Sequence, residues 1–255
     1  MSQSSFPILC DLDGVIWLAH QPISGSIEAV KRLRGRGHRV LFVTNNSASI
    51  VGDQEAALRQ IGIQAVGDVV TSAMAAAALV NAGERVLVCG GPGIVEAIQR
   101  RGAIPVVDGD ADAVMVGFHR SFDYERMRIA AQAVLRGARL LGTNDDATYP
   151  TPEGPIPGGG AILASIATAA GVRPTVAGKP HEPMAELVRR VLGAENSRNS
   201  VMVGDRPETD GLFARTLCCR FALVWSGVTA EGVVVDPTPD LAAPNLAAIE
   251  ALLVG

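Results

Sequence analysis

Asp11-Leu12-Asp13-Gly14 directly follows the apolar run Phe6-Pro7-Ile8-Leu9-Cys10. The apolar run predicts a short buried strand. Because side chains alternate between the two faces of an extended chain, Asp11 and Asp13 project to the same side at its end. Two adjacent carboxylates repel each other, and Mg²⁺, which prefers oxygen ligands, would neutralise them. Taken alone, the tetrapeptide is more typical of a simple Asp/Gly turn, so its interpretation depends on motifs further along.

Composition excludes several classes of protein. The chain has 255 residues, 48% of them hydrophobic, which is enough for one large domain or two modest ones. A net charge of −4, no basic run and few aromatic residues argue against nucleic-acid binding. No apolar run is long enough to span a membrane, and we expect no signal peptide. The cysteines form no CxxC pair, which favours buried thiols, Cys10 included, in a cytoplasmic protein.

Hydrophobic patterning predicts alternating strands and helices. Apolar runs indicate strands at 40–43, 68–70, 85–89, 113–117, 140–143, 200–203 and 221–225. Helical spacing occurs between most of them, and Ser72 is expected to cap the helix that runs to Leu79. Strands that alternate with helices and read as continuous apolar runs are typical of an α/β fold with a parallel sheet.

Polar residues follow several of these strands or precede helices: Asp11 and Asp13, Thr44 and Asn45, Lys179, Asp205 and Asp210. Ligands of open parallel sheets bind at the carboxyl ends of the strands, so we expect these side chains to converge on one site. Each of them also has a structural interpretation, as a helix cap, a surface lysine or a turn acid. It is their order and their position at strand ends that favour a shared function.

These residue types suit phosphoryl transfer. Asp11 is the candidate nucleophile, which would form an aspartyl-phosphate, and Asp13 is the candidate general acid and base. Thr44 and the backbone amides that follow it would hold phosphate oxygens. The phosphate-binding candidates also include Gly14, Asn45 and Asn46.

The remaining candidates would balance the negative charge of the nucleophile and the phosphate. Lys179 would place a cation against the nucleophile and the phosphate. The predicted Mg²⁺ ligands are Asp11, Asp13 through its backbone carbonyl, and Asp205. Asp210 would lie behind them and orient Lys179 or a metal-bound water.

Four motifs resemble those of the haloacid dehalogenase (HAD) superfamily of aspartate-nucleophile phosphatases. They are Asp11-Leu12-Asp13-Gly14-Val15, Thr44-Asn45-Asn46-Ser47, Gly178-Lys179-Pro180, and Gly204-Asp205-Arg206 with Thr209-Asp210. Within the superfamily the chain is similar to the NagD-like, p-nitrophenylphosphatase-type subfamily, which carries a class IIA cap. The resemblance covers about 7–228. It implies a Rossmann-like parallel-sheet core with an inserted α/β cap domain, Mg²⁺ as cofactor and small phosphate monoesters as substrates.

Motif spacing locates the insertion. Only 31 positions separate Asp13 from Thr44, whereas 135 separate Thr44 from Lys179. We therefore predict a core at 1–82 and 176–255 and a cap at 83–175. Cap features of the subfamily are Thr143-Asn144-Asp145-Asp146, Pro150 and Pro157-Gly158-Gly159-Gly160. The resemblance implies that the cap closes over the site and excludes water, and that the protein can form a homodimer through its caps.

Asn144 and Asp146 are the candidates for contacting the leaving group, and Arg120 is the candidate for contacting an acidic leaving group. Capping of a turn explains Asn144 and Asp146 equally well. Three other functions stay open. They are a dehalogenase of the same superfamily, a catalytically idle ligand-binding or regulatory protein on this fold, and a dinucleotide oxidoreductase. The pair Asp13 and Asp205 argues against the dehalogenase, and the lack of a GxGxxG spacing argues against the oxidoreductase. The family commonly has a branched apolar residue where this chain has Gly211 and a glycine where it has Cys218, and Pro207 is a third departure. These departures concern local packing and the start of the helix more than the chemistry.

Overall fold

The computed structural model describes residues 5–18, 20–149, 151 and 154–254. The chain divides into two compact units. The first unit comprises Met1–Thr44, Gly52–Val70 and Lys179–Gly255, and the second comprises Asn45–Val51 and Thr71–Gly178.

Strands and helices alternate along the chain. The strands are β1 (Ile8–Cys10), β2 (Trp17–Leu18), β3 (Gln21–Pro22), β4 (Val40–Thr44), β5 (Val69–Thr71), β6 (Arg85–Cys89), β7 (Ile104–Val106), β8 (Ala113–Val116), β9 (Arg139–Gly142), β10 (Thr148–Tyr149), β11 (Ile156–Pro157), β12 (Thr175–Val176), β13 (Val201–Gly204), β14 (Arg220–Val224) and β15 (Leu241–Ala243). The helices are α1 (Ser26–Gly35), α2 (Val51–Gln60), α3 (Ser72–Ala77), α4 (Pro92–Arg100), α5 (Tyr124–Leu135), α6 (Gly159–Ala170), α7 (Glu182–Leu192), α8 (Ala194–Arg198), α9 (Leu212–Leu217) and α10 (Leu246–Val254). A π-helical turn, Pro207–Gly211, leads into α9.

The first unit is built on a six-stranded sheet with the order β15-β14-β13-β1-β4-β5. Strand β1 lies between β13 and β4 and pairs with both in parallel, so that Ile8 is in register with Val201 and with Val40. All residues of β1, β4 and β13 are buried, which explains why these strands are continuous apolar runs. The carboxyl ends of the three central strands therefore lie at one edge of the sheet.

The second unit has its own five-stranded sheet with the order β12-β9-β8-β6-β7. Neighbouring strands pair in parallel throughout this order: β12 with β9, β9 with β8, β8 with β6, and β6 with β7. Helices α5 and α6 pack on this sheet through small and branched side chains such as Ala130, Ile162 and Ile166. Each buried isoleucine or leucine contributes about 1.5–3 kcal/mol of transfer free energy, so this layer holds the unit together.

The predicted α/β fold with parallel sheets is confirmed, and two local predictions, the cap and the end of α3, are wrong. Thr71, and not Ser72, caps α3, because the Thr71 hydroxyl accepts the amide of Met74. Ser72 instead donates its hydroxyl to the carbonyl of Asn45, and α3 ends at Ala77 rather than at Leu79. The predicted loop from Tyr149 contains the short antiparallel pair β10–β11, and Pro150 lies outside the described residues.

Cys10 lies in the buried strand β1, as predicted. Burial, with a smaller contribution from neighbouring Asp11, raises the pKa of its thiol to about 12, so the thiol is a core group and not a nucleophile. Within the described ranges, no helix is long and apolar enough to cross a membrane.

Candidate active site

Three strand ends supply the first residues of the site. Asp11 follows β1, Thr44 is the last residue of β4, and Asp205 follows β13. Since β1 pairs in parallel with both other strands, the three residues leave the same edge of the sheet. Thr44 and Asp205 are buried, and Asp11 is partly exposed.

Lys179 is a buried cation of this cluster, with only 1% of its side chain exposed. Its Nζ lies 3.0 Å from Asp11 Oδ1 and 2.7 Å from Asp210 Oδ1. Burial disfavours the charged ammonium, but the two carboxylates outweigh burial and raise the pKa of Lys179 above its ordinary value. The side chain is therefore a fixed positive charge between the candidate nucleophile and Asp210.

Three carboxylates form the acidic part of the cluster. Oxygens of Asp11, Asp205 and Asp210 all lie within 4.8 Å of one another, the one such group found in the described part of the chain. Burial raises the pKa of Asp11 well above its ordinary value against the opposing effect of Lys179, and Asp210 and Asp205 raise it further. Burial and then Asp210 raise the pKa of Asp205 to about 7. The three acids thus repel one another. Lys179 offsets the rise in the pKa of Asp11 only in part, and Arg206 and Lys179 offset the rise in the pKa of Asp205 only in part.

The Asp205 carboxylate is enclosed by backbone. Its Oδ2 accepts the amide of Val228 at 2.7 Å, whereas its buried Oδ1 has no hydrogen-bond partner among the described residues. A Cβ at Gly14 would lie 2.4 Å from Asp205 Cγ, and one at Gly227 would lie 1.9 Å from Oδ2. Gly14 also has a φ of +84°, so two glycines at close approach are required here. An unsatisfied carboxylate oxygen beside two further carboxylates fits a hard divalent cation.

Both oxygens of Asp210 are already engaged. Oδ1 accepts from Lys179, and Oδ2 accepts the amide of Arg206 at 3.1 Å. The π-helical turn sets this position, because the Asp210 amide donates to the Arg206 carbonyl at 2.7 Å and Pro207 begins the turn. Asp210 therefore holds Lys179 and the loop after β13 in place.

The structure shows the local setting of two departures from the family pattern. A Cβ on Gly211 would lie 2.8 Å from Pro237 Cγ and 3.0 Å from Phe221 Cε1, so these rings fill the space that a branched side chain would take. Cys218 ends α9 with a φ of 57°, the left-handed conformation that normally selects glycine.

Asp13 is held by a residue that the sequence did not single out. Its Oδ1 accepts the indole N–H of Trp17 at 3.1 Å. Burial raises the pKa of Asp13, while His20 and Trp17 oppose the rise. Trp17 and Gly227 are two of the contributors that the sequence analysis missed. Trp17 starts a two-residue strand, and Gly227 lies in a loop with no recognisable motif.

The other predicted phosphate- and substrate-binding residues belong to the second unit. The side-chain amide of Asn45 donates to Asp146 Oδ2 at 3.0 Å, and Asn144 Nδ2 donates to the Asn45 carbonyl at 2.8 Å. Asn46 Oδ1 accepts the amide of Ala48. Arg120 is exposed and lies over the ring of Phe118. Asn144 and Asp146 are thus joined to the segment that follows Thr44 along the chain.

Comparison with known proteins identifies relatives over most of the chain. A family described as haloacid dehalogenase-like hydrolase matches residues 8–104, and one described as HAD-hydrolase-like matches 176–249. The 5′-nucleotidase YutF of Bacillus subtilis is 34% identical over 232 residues, which cover 89% of this chain and 90% of that protein. The D-glycerol 3-phosphate phosphatase of Mycobacterium tuberculosis is 34% identical over 240 residues, covering 89% of this chain and 66% of that enzyme.

Solved structures agree with these matches. The p-nitrophenyl phosphatase from Archaeoglobus fulgidus superposes with a TM-score of 0.88 and 28% identity, covering 98% of this chain and 100% of that one. A glycerol phosphate phosphatase from Mycobacterium tuberculosis, in complex with magnesium, superposes with a TM-score of 0.87 and 31% identity over 97% of this chain and 77% of that one. The resemblance inferred from the four motifs is confirmed: the chain belongs to the haloacid dehalogenase-like hydrolases.

Proposed function

We propose that this protein is a Mg²⁺-dependent phosphatase that hydrolyses small-molecule phosphate monoesters through an aspartyl-phosphate at Asp11. One observation carries the proposal. The buried Lys179 bridges Asp11 and Asp210 beside a buried Asp205 oxygen that has no partner among the described residues. A nucleophile paired with a lysine and lying beside a carboxylate oxygen that can bind a divalent cation suits phosphoryl transfer.

The protein's own residues account for both chemical steps. In the first, a carboxylate oxygen of Asp11 bonds to phosphorus while the ester P–O bond breaks, and Asp13 gives its proton to the leaving oxygen. In the second, water attacks phosphorus, Asp13 takes the proton, and the bond between Asp11 and phosphorus breaks to release inorganic phosphate. Lys179 stabilises the ionised form of Asp11 and attracts the phosphate, and Thr44 contributes a phosphate contact.

The cation would be held by Asp11, Asp205 and the backbone carbonyl of Asp13. When bound, Mg²⁺ supplies positive charge that offsets the repulsion between the attacking carboxylate and the phosphate. Asp210 keeps Lys179 in place from behind. The magnesium complex of the Mycobacterium tuberculosis enzyme supports Mg²⁺ as the metal.

The choice of substrate is proposed to lie in an inserted cap, predicted at 83–175. The residues proposed to select the leaving group are Asn144 and Asp146, with Arg120 for acidic groups. Relatives named as a glycerol 3-phosphate phosphatase and a 5′-nucleotidase support small phosphate esters as the substrate class. A homodimer through the cap and a cytoplasmic location stay predictions.

Release of p-nitrophenol from p-nitrophenyl phosphate tests the proposal. We expect release in Mg²⁺, none in excess chelator, and recovery when Mg²⁺ is restored. Full activity in chelator would exclude the metal scheme. Failure to turn over any member of a broad panel of phosphate esters, with phosphate binding retained, would favour the idle ligand-binding protein. Halide release from haloacids would favour the dehalogenase.

A further inference from the structure

We propose that Trp17 is a positioning residue for Asp13, and that its indole N–H holds the carboxyl group in the orientation that protonates the leaving oxygen. The inference rests on the proposed function, because Asp13 is the general acid of that reaction. It assigns a role to a side chain outside the four motifs. The contact that carries it is the 3.1 Å hydrogen bond from Trp17 Nε1 to Asp13 Oδ1.

The backbone around Asp13 brings the indole back to it. The amide of Gly14 donates to the Trp17 carbonyl at 2.8 Å, and the amide of Trp17 donates to the Leu12 carbonyl at 3.2 Å. Trp17 then starts β2, where it lies in register with Pro22 of β3. These bonds tie the turn after Asp13 to the start of the hairpin, so the position of the indole is fixed by the same turn that presents Asp13.

Packing restricts the indole further. Only 2% of Trp17 is exposed, and its ring lies 5.1 Å from that of His20, measured between centroids. A large buried side chain with two side-chain torsions has few alternative rotamers at this position. The N–H is therefore a rigid donor, whereas a water molecule in the same place would allow the carboxyl group to turn.

The donor also distinguishes the two oxygens of Asp13. An indole N–H can only donate, so Oδ1 acts as the acceptor in that bond and the acidic proton is carried on Oδ2. An alkoxide is a poor leaving group and needs that proton as the ester bond breaks. A p-nitrophenolate leaves without it. Loss of the donor should therefore slow alkyl esters more than aryl esters.

A purely structural role for Trp17 makes a different forecast. If the ring only fills space, its replacement lowers the amount of folded enzyme or distorts the site. In that case kcat/KM falls by the same factor for both classes of ester. The ratio of kcat/KM between an alkyl phosphate and p-nitrophenyl phosphate separates the two roles. The value of kcat/KM reports on the steps up to the first irreversible one, which is the departure of the leaving group.

The test compares wild-type enzyme, Trp17→Phe and a variant with 3-benzothienylalanine at position 17. The last keeps the shape of the ring and puts sulfur in place of the N–H, so it decides the question even if Trp17→Phe folds poorly. General acid catalysis contributes about 10²–10⁴-fold, so we expect kcat/KM to fall about 10-fold or more for the alkyl ester and about 3-fold or less for the aryl ester. Trp225→Phe, the same change at the other tryptophan, should leave the ratio unchanged.

Equal losses for the two esters in the sulfur variant, or no loss for either, would overturn the role of Trp17. Those outcomes leave the proposed function intact, because they presuppose a wild-type enzyme that hydrolyses both esters. Failure of the wild-type enzyme to hydrolyse either ester in Mg²⁺ would instead overturn the proposed function, and with it the premise of this inference.

Discussion

Asp205→Asn should stabilise the first unit when metal is absent. Asp205 is 2% exposed, and its pKa is raised from the ordinary 3.8 to about 7 by burial and by Asp210. An acid whose folded-state pKa exceeds its unfolded value destabilises the protein as pH rises between the two values. In the variant, the amide oxygen can accept from Val228, and the NH₂ group takes the place of Oδ1, which has no partner among the described residues.

The two pKa values set the size of the effect. A difference of about 3 pKa units corresponds to as much as about 4 kcal/mol at pH 8, since each unit is worth ~1.4 kcal/mol. At pH 5 the folded protein already carries a protonated Asp205, so the gain from Asp205→Asn should fall to about 2 kcal/mol. With Mg²⁺ at 100 times its Kd, the free energy of unfolding of the wild-type protein should rise by about 2.7 kcal/mol, and that of the variant should rise much less.

Urea unfolding in excess chelator, at pH 8 and at pH 5, measures this difference. Both tryptophans, Trp17 and Trp225, lie in the first unit, so their fluorescence follows the unfolding of that unit alone. Asp53→Asn is the matched control, because Asp53 is exposed on α2 and its substitution should change stability by less than about 0.5 kcal/mol. No gain at pH 8, or the same gain at both pH values, would refute the electrostatic account.

Three further outcomes are expected. Ca²⁺ should inhibit Mg²⁺-dependent turnover in steady-state assays, because its larger and looser shell disturbs in-line attack; full activity with Ca²⁺ would contradict this. Asn144→Ala and Asp146→Ala should change relative kcat/KM among substrates while sparing small aryl phosphates. Equal losses for all substrates would mean that they act through their bonds to Asn45. Cys218→Gly should stabilise the protein by about 0.5–1 kcal/mol in chemical unfolding, because it removes a left-handed strain of about 1–2 kcal/mol that outweighs the greater unfolded-state entropy of glycine. Cys218→Ser, which keeps Cβ, should not stabilise it.

The parts of the fold that sequence predicts well are those with strong local signals. Val40–Thr44 and Val201–Gly204 are unbroken apolar runs because both faces of the central sheet are covered, and each is followed by a polar residue. The order of the polar residues along the chain and their position at strand ends then suffice to predict that Asp11, Lys179, Asp205 and Asp210 share one site. The ion pairs from Lys179 to two carboxylates agree with that grouping.

Other parts of the site depend on contacts with no local pattern. The strands β2 and β3 have two residues each, too short for any periodicity, so the approach of Trp17 to Asp13 is not visible in sequence. The contact of Gly227 with Asp205 joins residues of different loops. Pro237 fills the space beside Gly211 that a branched side chain would take. This contact is also long-range in sequence, so one sequence alone does not reveal it.

Mapping the phosphorylated residue tests the central claim most directly. Enzyme mixed with a ³²P-labelled ester and Mg²⁺ should be quenched in acid within one turnover and digested, and the labelled peptide sequenced. We predict label on Asp11, absent from Asp11→Asn, in which turnover is lost although the ester still binds. Label on another residue, or substantial turnover by Asp11→Asn, would contradict the assignment of Asp11 as the nucleophile.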